Sequence, residues 1–226
     1  MNAKLIWKKE INPETAVLRF SPEYKVDFYP GQFFNICVIK DEEIMARPYS
    51  ITSTPEDEYM EFYVKAHKEG TVAKHILALK INESAGILGP HGNFIKKESD
   101  NDVVFIAAGS GIAPLMSMAR HLVKQDSFSN ITFLHAASHV EELAFFDELK
   151  QMDNASNFTY ISTISKPNEN PEWDGNTGRV DTLLRHCKNN DAEAYICGPP
   201  PMIIKVKRDL LNEGFDKKKI FTEGYY

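Results

Sequence analysis

The chain has 226 residues, 42% of them hydrophobic and 26% charged, with a formal net charge of −6 at neutral pH. That length builds one large domain or two small ones, and that charge works against generic nucleic-acid binding. No apolar run approaches the roughly 20 residues of a bilayer crossing, and Met1–Glu10 alternates like a strand without the apolar stretch of a signal peptide, so a cytoplasmic protein is expected.

Strand-like runs dominate the first half: Lys4 to Ile11, Thr15 to Phe20, Gln32 to Ile39 and Tyr59 to Ala66, separated by the turn chemistry of Asn12-Pro13, Tyr29-Pro30-Gly31 and Thr54-Pro55. They predict an antiparallel β-barrel. One helix is expected there, Thr71 to Lys80, with Val72, His75, Ile76 and Leu79 near one face. After Asp100 the pattern alternates. Strands at Val103–Ala108, Ile131–Ala137, Phe158–Ser162 and Ala194–Cys197 are separated by helices near Ala113–Lys124, Glu141–Met152 and Val180–Lys188, with another at Pro201 to Glu213. This predicts a parallel sheet with helices on both faces. The boundary is expected near Glu98–Asp102, giving domains of 1–99 and 100–226.

The three cysteines, Cys37, Cys187 and Cys197, form no C-x-x-C pair and cannot supply the four ligands of a [2Fe–2S] cluster. Neither a disulfide framework nor a metal site is expected. His135 and His139 have helix-type metal spacing, but they fall where a strand is expected to end and read as surface or structural histidines.

Between a strand and a helix lies Gly109-Ser110-Gly111-Ile112-Ala113-Pro114. Two glycines allow a tight turn and close approach of a ligand, and the free amides of the helix start face an anion. By itself the run serves equally as a plain connection. A serine nucleophile elbow is excluded, because Ala108 and Ile112 stand where G-x-S-x-G needs glycines. Upstream, Arg47-Pro48-Tyr49-Ser50 combines a fixed cation, an aromatic face and a hydroxyl in an extended segment that puts Arg47 and Tyr49 on one side. Such a set suits a flavin, but taken alone it reads first as an ordinary barrel strand with surface residues.

Taken in order, five segments resemble the ferredoxin–NADP reductase family: Pro30-Gly31-Gln32-Phe33, Arg47-Pro48-Tyr49-Ser50, Gly89-Pro90-His91-Gly92-Asn93-Phe94, the glycine turn at Gly109, and Cys197-Gly198-Pro199-Pro200-Pro201-Met202. The resemblance implies an N-terminal antiparallel β-barrel flavin domain followed by an α/β doubly wound parallel-sheet nucleotide domain. It implies that Arg47 binds a flavin phosphate, Tyr49 packs on the isoalloxazine and Ser50 hydrogen-bonds near flavin N5. Pro48, Gly70, Thr71 and Val72 complete the flavin contacts; Gly109, Gly111, Pro114, Gly198 and Pro199 receive the dinucleotide. Cys197 is expected beside the nicotinamide, not as a covalent nucleophile. Ala73 replaces the hydroxyl residue of the family's pyrophosphate turn, which bears on FAD affinity and on FAD over FMN. In the ending Phe221-Thr222-Glu223-Gly224-Tyr225-Tyr226, Tyr225 matches the aromatic that covers the flavin, Glu223 the nearby carboxylate, and Tyr226 is an added residue.

The activity implied is hydride transfer from NADH or NADPH to FAD, docked between the two domains, then single-electron transfer to a separate ferredoxin, flavodoxin or oxygenase component. The alternatives are a free-flavin or oxygenase reductase and a non-catalytic redox-sensing subunit. Coenzyme choice leans to NADH: Ala137-Ser138-His139, after the second strand of the sheet, contains no arginine for a 2′-phosphate, although Arg179 could act from another loop.

Overall fold

A computed structural model describes residues 1–40, 42–66, 71–127 and 129–225, without the side chains of Lys40 and Thr71. Contacts divide the chain into two units, Met1–Lys96 with Met116–Lys124, and Lys97–Leu115 with Gln125–Tyr226.

The first unit contains β1 (Asn2–Asn12), β2 (Thr15–Pro22), β3 (Phe33–Lys40), β4 (Glu43–Ser50), β5 (Met60–Lys65), α1 (Thr71–Ala78) and β6 (Ser84–His91). Its six strands lie in the order β4-β3-β6-β1-β2-β5, each antiparallel to its neighbour. A bridge between Ile51 and Phe62 joins the chain just past β4 to β5. Strand side chains alternate between faces, so Leu18 and Phe20, Phe34, Ile36 and Val38, and Phe62 and Val64 fill one interior. There the Phe34 ring meets Phe28 and Phe62 edge-on at 5.9 and 6.2 Å. Each large apolar side chain so buried contributes about 1.5–3 kcal/mol. Helix α1 adds Val72, Ala73 and Ile76 to this core, and it ends at Ala78, earlier than expected, ahead of the turn that carries Asn82 at positive φ. Strand β6 escapes the sequence reading because Gly86 and Gly89-Pro90 interrupt its apolar run.

The second unit contains β7 (Val103–Ala108), β8 (Ile131–Ala137), α3 (Phe146–Met152), β9 (Phe158–Ile164), β10 (Asn176–Thr177), β11 (Glu193–Gly198), α4 (Pro200–Asn212) and β12 (Ile220–Gly224). Helix α2 (Ile112–Lys124) starts in this unit, and Met116–Lys124 groups with the first. The sheet order is β10-β9-β8-β7-β11-β12, parallel throughout, so the order reverses between β7 and β11. One face packs Val104, Ile106, Leu134 and Ile196 against Val206 and Leu210 of α4. The other carries an aromatic row: Phe105 lies 5.6 Å from Phe133 and 5.9 Å from Tyr195, which stacks on Phe221 at 4.8 Å.

Three expected features differ. The helix expected over Glu141–Met152 is a 3₁₀ turn, Val140–Glu142, followed by α3, because Phe145 between them has φ +59 and stops helical continuation. Val180–His186 is 3₁₀ rather than α. His135 lies inside β8, not at its end: it is fully buried, its Nδ1 is 3.1 Å from the Tyr160 hydroxyl, and burial lowers its pKa to about 3, so it is neutral.

Candidate functional site

On β4, Arg47, Tyr49 and Ser50 pair with Ile36, Phe34 and Phe33 of β3. Side chains of directly paired residues share a face, so Arg47 and Tyr49 lie on the face of Phe34 and Ile36. Tyr49 packs half-buried against the core, and burial pushes its phenol up to about 12, while Ser50 is buried. Arg47 is exposed. Its Nη1 donates to the Ala46 carbonyl at 2.9 Å, and it has no ion pair with a described residue. An uncommitted guanidinium beside a flat phenol ring fits a phosphorylated aromatic ligand. Pro48 is exposed on the opposite face.

The turn before β3 is held against the segment after β6. Gly31 has φ +102, a Cβ there would overlap the Phe94 carbonyl, and Gln32 donates through Nε2 to the Gly92 carbonyl at 3.1 Å. Gly70 lies outside the described residues, as does the side chain of Thr71. Val72 and Ala73 put their side chains into the barrel core, so any role of theirs toward a phosphate belongs to the backbone amides that open α1.

A buried charge network, which the sequence reading missed, follows Ser50. Glu61 of β5 is 1% exposed; its Oε1 accepts from the Thr52 hydroxyl at 2.7 Å and Arg120 Nη1 at 2.6 Å, and its Oε2 accepts from Arg19 Nε at 2.8 Å. Arg120 also donates to the Thr52 carbonyl at 2.7 Å, and Ser117 to the Ser53 carbonyl at 2.6 Å. Residues 52 and 53 are therefore pinned. Burial alone would raise the Glu61 pKa, but the charge and hydrogen bond of Arg120, with the hydrogen bonds of Thr52 and Arg19, outweigh it and hold the carboxyl below its ordinary value. A carboxylate inside the otherwise apolar run Met60–Val64, with Arg19 opposite it in the register, was the available signal.

In the second unit, Gly109–Gly111 forms a 3₁₀ turn between β7 and α2, with Gly109 at φ +55. Nothing lies where a Cβ on Gly109 would point, whereas one on Gly111 would overlap the Cys197 carbonyl and the Gly198 nitrogen. Gly111 is thus required by the close approach of the turn to the end of β11. Pro114 is buried in the first turn of α2; Gly198 is buried at φ +155, and the exposed Pro199 caps α4.

Cys197 and Glu223 are direct partners in the β11–β12 register, and the Tyr225 amide donates to the Gly198 carbonyl at 3.1 Å. The structure thus brings together Cys197, Gly198, Glu223 and Tyr225 at the carboxyl ends of parallel strands, where open α/β sheets bind ligands. Tyr226 lies outside the described residues. Burial, then the Glu223 charge, raise the Cys197 thiol well above its ordinary value, against hydrogen bonds from Tyr225 and Gly198. At neutral pH it is a thiol, not a thiolate. Burial likewise raises Glu223 to about 7, and its Oε2, shielded from solvent, has no hydrogen-bond partner among the described residues. A buried acceptor left open suits a polar group brought by a ligand.

Two family profiles match, an oxidoreductase FAD-binding domain over residues 2–95 and an oxidoreductase NAD-binding domain over residues 105–208. The chain belongs to the ferredoxin–NADP reductase family. Members of this family hold FAD and a nicotinamide dinucleotide, and the two matched domains are those of FAD and NAD(P)H binding. The chain is 28% identical over 226 residues to the phenol 2-monooxygenase reductase component DmpP of Pseudomonas sp. (strain CF600), covering 96% of this chain and 63% of that protein. It is 32% identical over 209 residues to a subunit of the Na(+)-translocating NADH-quinone reductase of Neisseria meningitidis serogroup B, covering 83% and 51%. The chain therefore spans about half to two-thirds of these relatives. Among solved structures, a ferredoxin NADP+ reductase from Neisseria gonorrhoeae with bound FAD and NADP has the same fold, with a TM-score of 0.85 at 20% identity over 100% of this chain and 98% of that one. No helix among the described residues is long and apolar enough to cross a membrane.

Proposed function

We propose that the chain is a reductase that takes hydride from NAD(P)H on FAD and passes electrons singly to an acceptor outside these residues. The observation that supports it most is that matches to an FAD-binding domain and an NAD-binding domain occur in one chain. FAD, when bound, supplies the centre that accepts a hydride and releases electrons one at a time. The protein supplies position and polarity. Arg47 offers a planar fork to phosphate, Tyr49 a face for the ring, and Ser50 a small donor and acceptor for the reacting edge. The open turn at Gly109 and the amides that begin α2 receive the dinucleotide phosphates. Cys197, held as a neutral thiol, gives the nicotinamide a close, uncharged neighbour; Glu223 supplies the carboxyl, and Tyr225 the ring that covers the flavin.

An oxygenase component as acceptor is favoured by the likeness to DmpP, a reductase component by name; a ferredoxin or flavodoxin is the second reading. The reductase reading is tested by stopped-flow reduction of the FAD-loaded chain. Losing one hydrogen bond near the reacting edge in Ser50→Ala should slow reduction roughly three- to tenfold with FAD still bound, whereas an unchanged rate removes Ser50 from its role.

A further inference from the structure

At the carboxyl ends of β8 and β9 the second unit holds an ionic cluster that the hydride chemistry does not use. His139 stands two residues past β8 and Lys166 two residues past β9. The strand ends stay registered beyond the sheet: the Ser165 amide donates to the Ala137 carbonyl at 3.0 Å, and the Lys166 amide to the Ser138 carbonyl at 3.1 Å. Asn170, 9% exposed, ties the two loops together, accepting from the Val140 amide at 3.0 Å and donating to the Lys166 carbonyl at 2.7 Å.

That lock fixes Glu169 between the two cations. Its Oε2 is 2.7 Å from His139 Nε2, and its Oε1 is 3.2 Å from Lys166 Nζ; Glu142 Oε2 lies 3.4 Å from the other ring nitrogen, Nδ1. The hydrogen bond to Glu169 raises the His139 pKa, and His139 lowers that of Glu169, so each favours the charged form of the other. Glu142 and Glu169 both meet His139, and Glu169 also meets Lys166, so both cations are already engaged.

Dinucleotides cross a doubly wound sheet at the carboxyl ends of its strands. The loop after the second strand meets the adenosine ribose, where a carboxylate suits a 2′-hydroxyl and a free cation a 2′-phosphate. Here β7 is the first strand and β8 the second, so His139 begins that loop. Resting on the reductase reading above, we infer that the His139–Glu169–Lys166 cluster selects a dinucleotide with a free ribose 2′-hydroxyl, NADH over NADPH, by holding its cations on Glu169. A 2′-phosphate would have to break these ion pairs and approach the carboxylates of Glu142 and Glu169. Arg179, exposed beyond β10 and so farther from β7, is left to compete for it.

Calorimetric titration of the whole chain with ADP-ribose and with its 2′-phosphorylated counterpart tests this without any turnover. The wild type should bind ADP-ribose at least roughly tenfold more tightly; Glu169→Gln should narrow that gap about fivefold through a gain for the phosphorylated ligand, and Lys166→Gln added to it should reverse the gain. Equal or tighter wild-type binding of the 2′-phosphorylated ligand, or a ratio unmoved by Glu169→Gln, overturns the inference alone. If neither ligand binds, the inference falls together with the dinucleotide reading on which it rests.

Discussion

Glu223 shows how a site can be read from one side chain. A carboxyl whose pKa burial raises to about 7 binds its proton more tightly in the folded chain than in the unfolded one. Between the ordinary carboxylate value and about 7 the native state therefore holds more protons, and stability falls as pH rises through that window. Glu223→Gln removes this titration, so denaturant unfolding between about pH 4.5 and 8 should lose that slope and the variant should gain most over wild type at the alkaline end. A wild-type profile that rises or stays flat across the window, once the other groups are matched by the variant, contradicts the assignment of a half-buried carboxyl with a shielded, unpartnered Oε2. Arg47 is the complementary case, a cation left exposed. Its planar fork makes lysine a poor substitute for phosphate binding, so Arg47→Lys should weaken FAD binding about five- to tenfold in a fluorescence titration, with little change in melting temperature. Arg47 and Cys197 are proposed from the distinctive runs they sit in, and their places on β4 and at the end of β11 are what the structure adds. Glu61 was not legible, since its importance lies in partners from β2 and α2 that no local pattern exposes.

At the scale of elements, long alternating or apolar strands declared themselves: Val103–Ala108 and Ile131–Ala137 occupy the expected residues. Elements whose form is decided by neighbours did not. Strand β6 carries two glycines and a proline, and its pairing is set by β1 and β3. The segment from Val140 has helical composition, yet burial of Leu143 and Ala144 and the left-handed Phe145 break it into a 3₁₀ turn and a short helix. The pinning of residues 52 and 53 by α2 has a measurable consequence. Glu61→Ala leaves Arg120 buried without its carboxylate, and truncating one partner of a buried pair costs about 3–5 kcal/mol. Because the net shift of Glu61 is downward, the stabilisation it gives is present at neutral pH and is lost as pH falls through its lowered pKa. Chemical denaturation should show both effects; a cost below about 1 kcal/mol, the level of a surface pair, contradicts the buried network.

For the molecule as a whole, two sheets of six strands present chemically different sites: one an exposed arginine and a half-buried tyrosine, the other a glycine turn and a buried thiol in register with a half-buried carboxyl. The order of the five motifs along the chain made the pairing of a flavin with a dinucleotide legible, whereas the ionic cluster after β8 and β9 needed Glu169 and His139 placed in space, thirty residues apart in sequence. The most direct measurement is to load the purified chain with FAD, remove free flavin by gel filtration, and record the visible spectrum before and after anaerobic addition of NADH. The account predicts yellow protein whose flavin absorbance is bleached by NADH; folded protein that emerges colourless, or whose bound flavin neither NADH nor NADPH reduces, contradicts it.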